Sequence, residues 1–298
     1  MSSFGLYMRK KFNDGDEIRD KGLETPSGIT RFDGITYGPE KTWNPLDVYR
    51  PSNTDGKLPV IISFHGGGWV YGDKERYQYY CMNFALHGFA VINFTYRLAP
   101  EYHHPAGLED MNHVAEWVMS NAEKYGLDTE HIFGIGDSAG ANGIGLYAAI
   151  LTKPDYAALY DFTPPEGFSF KSVGLLCGTY KVSLENYDDE VTMPLIAEYL
   201  PHGGTVPEME EMNLFNHITK KYPPVFAATG EGDFLKIQLP ELAAILVSND
   251  IPFEARFYTS PDRTLGHDFC CNARLKEAHE CADDLCAFFR KYIKEEQR

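Results

Sequence analysis

The chain has 298 residues, 43% of them hydrophobic and 14% aromatic; that is ample material for a large core and argues against a disordered chain. With 27 basic against 43 acidic residues, its net charge is −16, so it lacks the basic footprint that would hold nucleic acid or an anionic membrane surface. The opening MSSFGLYMRKK is too poor in apolar residues for a secretion signal, no run of about 20 apolar residues can span a bilayer, and six cysteines without a Cys-x-x-Cys spacing read as reduced thiols, so a cytoplasmic location is expected.

Along the chain, the first fifty residues are polar and mixed. Gly28, Gly34, Gly38 and Pro39 mark turns among short β-rich pieces at Ile29–Phe32, Ile35–Tyr37 and Leu46–Tyr49. The pattern then becomes regular. Apolar runs at Pro59–Phe64, Ala90–Tyr96, His131–Gly136, Val173–Cys177, Val225–Thr229 and Phe253–Tyr258 predict strands; the continuous ones suit burial on both faces. Helices are predicted between them. Pro105–Tyr125 carries Leu108, Met111, Val114, Ala115 and Val118 on one stripe, and Ala139–Thr152, Pro240–Ser248 and Ala278–Ile293 follow. Strands alternating with helices predict an α/β fold with a mostly parallel central sheet covered on both faces.

One interval breaks the rhythm. Tyr180–Tyr222 is acidic (Glu185, Asp188, Asp189, Glu190, Glu208, Glu210, Glu211), contains Pro194, Pro201 and Pro207, and is too long for a simple strand-to-helix connection. It reads as a helical insertion over the sheet, with an ordinary crossover helix and long loops as the alternative. The expected organisation is one domain over 1–298 with a small helical cap built from about 1–45 and 181–222.

Two motifs carry chemistry. Gly136-Asp137-Ser138-Ala139-Gly140 is a G-x-S-x-G sequence between an apolar strand and a small-residue helix, the context in which a serine sits on a sharp strand-to-helix turn. The helix start brings N–H groups and positive potential to where an oxyanion would form. His65-Gly66-Gly67-Gly68-Trp69 follows a strand directly, and its glycines let backbone N–H groups face a substrate oxygen. Gly134, Gly136 and Gly140 are spaced one residue too long for a dinucleotide loop. Among the ten histidines no H-x-x-x-H spacing points to a metal, and neither metal nor organic cofactor is expected.

With H65-G-G-G-W-V-Y-G-D73, Y96-R-L-A-P-E101 followed by H104-P-A106, and G136-D-S-A-G140, the chain resembles the hormone-sensitive-lipase-like (bacterial type IV) esterases of the α/β-hydrolase superfamily over about residues 45–290. The resemblance implies the α/β-hydrolase fold and the chain order serine, acid, histidine. Gly230-Glu231-Gly232-Asp233-Phe234-Leu235 is similar to the family's G-E-x-D-P-L, which implies Asp233 as the acid, with Glu231 the rival carboxylate. Gly266-His267-Asp268-Phe269 is similar to H-G-F, which implies His267 as the base. YRLAPE is implied to buttress the sheet. Ser138 would then be the nucleophile, and Gly67, Gly68 and Ala139 the oxyanion donors, with Gly66 shaping the loop. Three positions depart from the pattern: Phe234 replaces a proline, Ile237 a second aspartate and Asp268 a glycine. Vicinal Cys270 and Cys271 read as packed thiols, a redox role being the alternative. The implied activity is hydrolysis of small carboxylic esters with short acyl chains, such as acetyl esters of sugars or metabolites, through an acyl-enzyme. Amide, formamide or peptide hydrolysis and a non-catalytic small-molecule receptor are the alternatives. The expected partner is the small ester itself, with no nucleic acid or membrane, and the family's habit of dimerising leaves a homodimer open.

Overall fold

A computed structural model of the chain describes residues 3–183 and 191–293. Its elements run α1 (Ser3–Asp20), β1 (Ile29–Thr36), β2 (Pro45–Pro51), β3 (Leu58–Phe64), α2 (Lys74–Leu86), β4 (Ala90–Phe94), α3 (Ala106–Tyr125), β5 (Leu127–Asp137), α4 (Ala139–Thr152), α5 (Pro154–Ala157), β6 (Ser172–Leu176), α6 (Thr192–Tyr199), α7 (Val206–Met212), β7 (Val225–Gly230), α8 (Gln238–Ser248), β8 (Phe253–Tyr258) and α9 (Lys276–Arg290). Single 3₁₀ turns lie at Leu214–Asn216 and Phe269–Cys271.

The strands form one eight-stranded sheet in the order β1-β2-β4-β3-β5-β6-β7-β8. The pairs β1/β2 and β2/β4 are antiparallel and all the others parallel. The central strands are apolar on both sides because helices cover both faces. Alternate residues divide between two cores. Val60, Ile62 and Val173 face Met111 of α3, Ile144 of α4 and Leu242 of α8. Ile61, Phe133 and Phe226 face Cys81 and Phe84 of α2 and Leu285 and Phe289 of α9.

Every predicted strand and the four predicted helices are present, with ends shifted by a few residues. The two short pieces at Ile29–Phe32 and Ile35–Tyr37 are one strand whose register shifts between Phe32 and Ile35, where Gly34 takes φ 68°. Helix α2 carries its own start signal, the Asp73 carboxylate accepting the Arg76 N–H at 2.8 Å, but it buries Tyr77, Tyr80, Met82 and Phe84 around much of its girth and shows no clean stripe.

A third apolar cluster lies apart from the two main cores. It joins Met8 of α1, Trp69 and Val70 of the loop after β3, Ala139 of α4, Leu195 and Tyr199 of α6, and Met209 of α7. Of the stretch 1–45 expected to form a cap, α1 belongs to this cluster, whereas Ile29–Thr36 is a strand of the sheet. That part of the expectation is corrected: β1 has a strand partner in β2, and pairing its backbone groups there keeps it in the sheet. Helices α6 and α7 lie within the predicted insertion. Its acidic run Glu185, Asp188, Asp189 and Glu190, and Met1 and Ser2 of the amino-terminal part, lie outside the described residues.

Candidate active site

The motif residues lie at or just beyond the carboxyl ends of parallel strands, the edge of an open α/β sheet where ligands bind. Ser138 follows β5 directly with φ 51° and ψ −118°, a left-handed φ that a side chain adopts only when the surroundings force it. The flanking glycines make this turn fit. A Cβ on Gly136 would stand 2.3 Å from the Gly140 carbonyl oxygen, and one on Gly140 would stand 2.0 Å from that of Phe64. The Ser138 amide donates to the Leu176 carbonyl at 3.0 Å, so β6 fixes the turn from the other side.

Three side chains from distant parts of the chain meet here. Ser138 Oγ lies 2.9 Å from His267 Nε2, and His267 Nδ1 lies 2.8 Å from Asp233 Oδ1. Asp233 is buried after β7, where its carboxylate accepts the Leu235 amide at 2.9 Å and the Thr229 hydroxyl at 2.8 Å. Burial disfavours its charge, but the His267 contact and these donors outweigh it and hold its pKa below the ordinary carboxylate value. For His267, burial opposes protonation, while Asp268, Asp233 and Asp137 together outweigh burial and raise its pKa to about 9. Glu231, the rival carboxylate, instead accepts the Ser260 amide at 3.4 Å.

The glycine loop sits opposite. Gly66 donates its amide to both Tyr77 Oη at 3.0 Å and Asp137 Oδ1 at 3.1 Å, so this N–H shapes the loop. Among the described residues, the amides of Gly67, Gly68 and Ala139 have no acceptor and are free for a ligand oxygen. Gly67 takes φ 107°, and a Cβ there would meet the Tyr71 carbonyl oxygen at 2.2 Å. His65 is fully buried, stacks on Tyr96 with centroids 4.1 Å apart, and donates from Nδ1 to the Gly66 carbonyl at 2.8 Å. Burial pushes its pKa down to about 4, so its ring is a neutral brace for the loop.

The YRLAPE segment braces the same region. Tyr96 Oη donates to the His65 carbonyl at 2.9 Å. Arg97 holds Asp110 at 3.0 Å and Glu109 at 2.7 Å. Glu101 receives Arg9 of α1 at 2.5 Å, and Arg9 also donates to the carbonyls of Val70 and Ala99 at 2.7 Å each. Helix α1 is thereby tied to the loop that carries the free amides.

A cavity of about 800 Å³ opens onto Ser138 and His267, walled by Met8 and Phe12 of α1, Trp69, Tyr71, Leu195 and Phe234. Phe234, which replaces the usual proline, sets its ring 4.5 Å from that of His267. Beside Ile237, Gln238 Oε1 accepts the amides of Tyr180 and Lys181 at 2.7 Å each. The sequence reading gave no role to Asp137, Tyr77, Arg9 or Gln238. Asp137 at least stood inside a motif, and the others carried no signal. Cys270 and Cys271 are buried free thiols with sulfurs 4.0 Å apart. Among the described residues no cluster of three or more His, Cys, Asp or Glu is placed to hold a metal, and no helix is long and apolar enough to cross a membrane.

A mostly parallel sheet flanked by helices, with a serine on a strained turn facing a histidine–aspartate pair, defines an α/β-hydrolase. The BD-FAE family model matches residues 46–237, and the chain belongs to that family. It is 39% identical over 137 residues to carboxylesterase NlhH of Mycobacterium tuberculosis, a match spanning 43% of this chain and 43% of that relative. It is 28% identical over 242 residues to versiconal hemiacetal acetate esterase of Dothistroma septosporum, spanning 76% of this chain and 69% of that relative. Among solved structures, esterase B from Lactobacillus rhamnosus superposes with a TM-score of 0.88 at 22% identity, covering 97% of this chain and 93% of that one.

Proposed function

We propose that this protein is a serine carboxylesterase that hydrolyses small esters with short acyl chains, acetyl esters of sugars or metabolites among them, through an acyl-enzyme. The observation that carries this reading is the Ser138–His267–Asp233 chain of contacts at 2.9 and 2.8 Å beside three unpaired backbone amides. Ser138 attacks the ester carbonyl while His267 takes its proton and passes it to the departing alcohol. Asp233 keeps the other imidazole proton on Nδ1 and stabilises the cation. The amides of Gly67, Gly68 and Ala139 receive the oxyanion; a single donor in such a hole is worth about 3–4 kcal/mol to the transition state. Water then attacks the acyl-enzyme by the same proton route.

In this reading α1, α6 and α7 form the cap, and Arg9 and the Met8–Leu195 cluster seat it on the glycine loop. A cavity of about 800 Å³ suits a small ester. The relatives' names, an acetate esterase among them, support the short-acyl assignment. The test is turnover of p-nitrophenyl acetate, butyrate and palmitate by the wild type and Ser138→Ala. Faster acetate and butyrate hydrolysis, abolished in the variant, supports the proposal. A preference for palmitate overturns the short-acyl part, and turnover that survives Ser138→Ala overturns the whole.

A further inference from the structure

Where this family has a glycine after the histidine, this chain has Asp268, in the left-handed region with φ 56°. That conformation is one that aspartate tolerates better than most side chains. The residue brings a carboxylate to the reacting side of the imidazole. Asp268 Oδ2 lies 3.1 Å from His267 Nε2, the same nitrogen that Ser138 Oγ approaches at 2.9 Å. The opposite nitrogen is taken by Asp233. The other Asp268 oxygen, Oδ1, is buried without a hydrogen-bond partner, so this carboxyl group makes its polar contact to the imidazole.

Elementary electrostatics decides what such a contact means. A neutral imidazole with its proton on Nδ1 presents a lone pair at Nε2, and a carboxylate oxygen facing a lone pair at this distance is repelled. The contact becomes attractive once Nε2 is protonated and the imidazole carries a positive charge. That proton occupies the lone pair which Ser138 must use to become a nucleophile. Resting on the reading of Ser138, His267 and Asp233 as the catalytic set, we propose that Asp268 is a positioning residue whose charge favours the protonated form of His267, keeps the Nε2 lone pair occupied, and moves the onset of hydrolysis toward alkaline pH. Only an N–H bond changes: activation releases the Nε2 proton to solvent and leaves the Nε2 lone pair to accept from Ser138.

The surroundings reinforce the protonated state of His267. Asp137 at the end of β5 and Asp233 after β7 add negative potential, and Tyr77 of α2, Cys177 after β6 and Cys271 face the site with acidic groups that burial keeps neutral. Arg19 of α1 is the opposing cation, but Asp16 at 2.9 Å and Asp20 at 2.7 Å already engage it. His267 is pushed up to about 9, burial opposing and Asp268 the largest of the charges that raise it.

The experiment pairs Asp268→Gly and Asp268→Asn, two residues that also tolerate a positive φ. The acid limb of kcat/KM against pH is measured with p-nitrophenyl acetate, and the His267 imidazole is titrated by NMR without substrate, its signal assigned from His267→Asn. The expected result is a fall of at least about one unit in both midpoints, with about tenfold higher kcat/KM at pH 6. Unmoved midpoints overturn the proposal, and so does a shifted limb without a matching imidazole shift. If the wild type turns over no ester, the reading as an esterase fails, and the imidazole titration still decides the role of Asp268.

Discussion

The indole of Trp69 lies flat on the ring of Tyr199, centroids 5.0 Å apart and planes within 7°. Trp69 has φ 59° and immediately follows Gly68, while Tyr199 ends α6. The stack therefore holds the loop carrying the free amides against a helix of the insertion. A Leu195 methyl would also stand only 2.7 Å from a Cβ at Gly68, so that glycine admits the helix. Replacing Tyr199 with Leu keeps apolar bulk but removes the stack, worth about 1 kcal/mol. Steady-state kinetics on p-nitrophenyl acetate should show kcat reduced about fivefold with KM less affected. An unchanged kcat would separate the stack from the positioning of the loop.

Asp233 has a depressed pKa and remains a carboxylate through the neutral range. Its service to His267 is a choice of tautomer as well as of charge. In Asp233→Asn the amide can donate to Nδ1, which moves the imidazole proton to Nε2 and removes the acceptor facing Ser138. A loss of about 10⁴-fold in kcat is expected, the scale seen when this tautomer control is lost. Circular dichroism should show the fold intact. Activity within tenfold of wild type would transfer the acid's role to another carboxylate.

The nucleophile turn depends on the absence of side chains more than on their presence. At Gly140 a methyl group would meet the Phe64 backbone oxygen at 2.0 Å, and neither partner is a flexible side chain that could swing aside. Gly140→Ala should lower the melting temperature sharply or prevent soluble expression. The matched control is Gly15→Ala in α1, where a Cβ meets nothing within 4 Å and the helical residue gains up to about 1 kcal/mol. Equal melting temperatures for both variants would contradict the packing described for the turn.

The parts legible from sequence share a physical reason. Buried parallel strands must be apolar on both faces, and the turns holding Ser138 and the loop amides must be glycine-flanked, so both leave marks in a single sequence. Helix α1 leaves none. Its buried Met8 is one side chain among polar neighbours, and Arg9 fixes it through carbonyls of Val70 and Ala99 that lie 61 and 90 residues away. Tyr77 is equally silent: its hydroxyl donates to Asp137 Oδ2 at 2.7 Å across 60 residues, and nothing local to α2 announces that partner. Gln238 is silent too: its Oε1 accepts the amides of Tyr180 and Lys181 from 58 and 57 residues away. The departure at Asp268 is visible in the sequence, but its proximity to Nε2 on its neighbour's reacting side emerges only once β8 and β5 lie in one sheet.

His65 allows a stability measurement with a definite sign. Its ring is buried with Nε2 unpartnered, and its pKa falls from 6.5 to about 4 in the folded protein. The unfolded chain therefore binds a proton more readily than the folded one. The stability from burying the neutral ring is fully present above pH 6.5. It declines by about 1.4 kcal/mol per pH unit as pH falls toward 4, and no further loss occurs below that. Between pH 7 and pH 4.5 this amounts to about 2–3 kcal/mol. Urea unfolding at both pH values, for wild type and His65→Asn, isolates it, since the carboxylates titrate alike in both proteins. The variant should be weaker at pH 7 through loss of the stack on Tyr96, yet lose about 2–3 kcal/mol less than wild type on acidification. Equal acid losses in the two proteins would mean that His65 is protonated in the folded state, and that the glycine loop is braced by a cation.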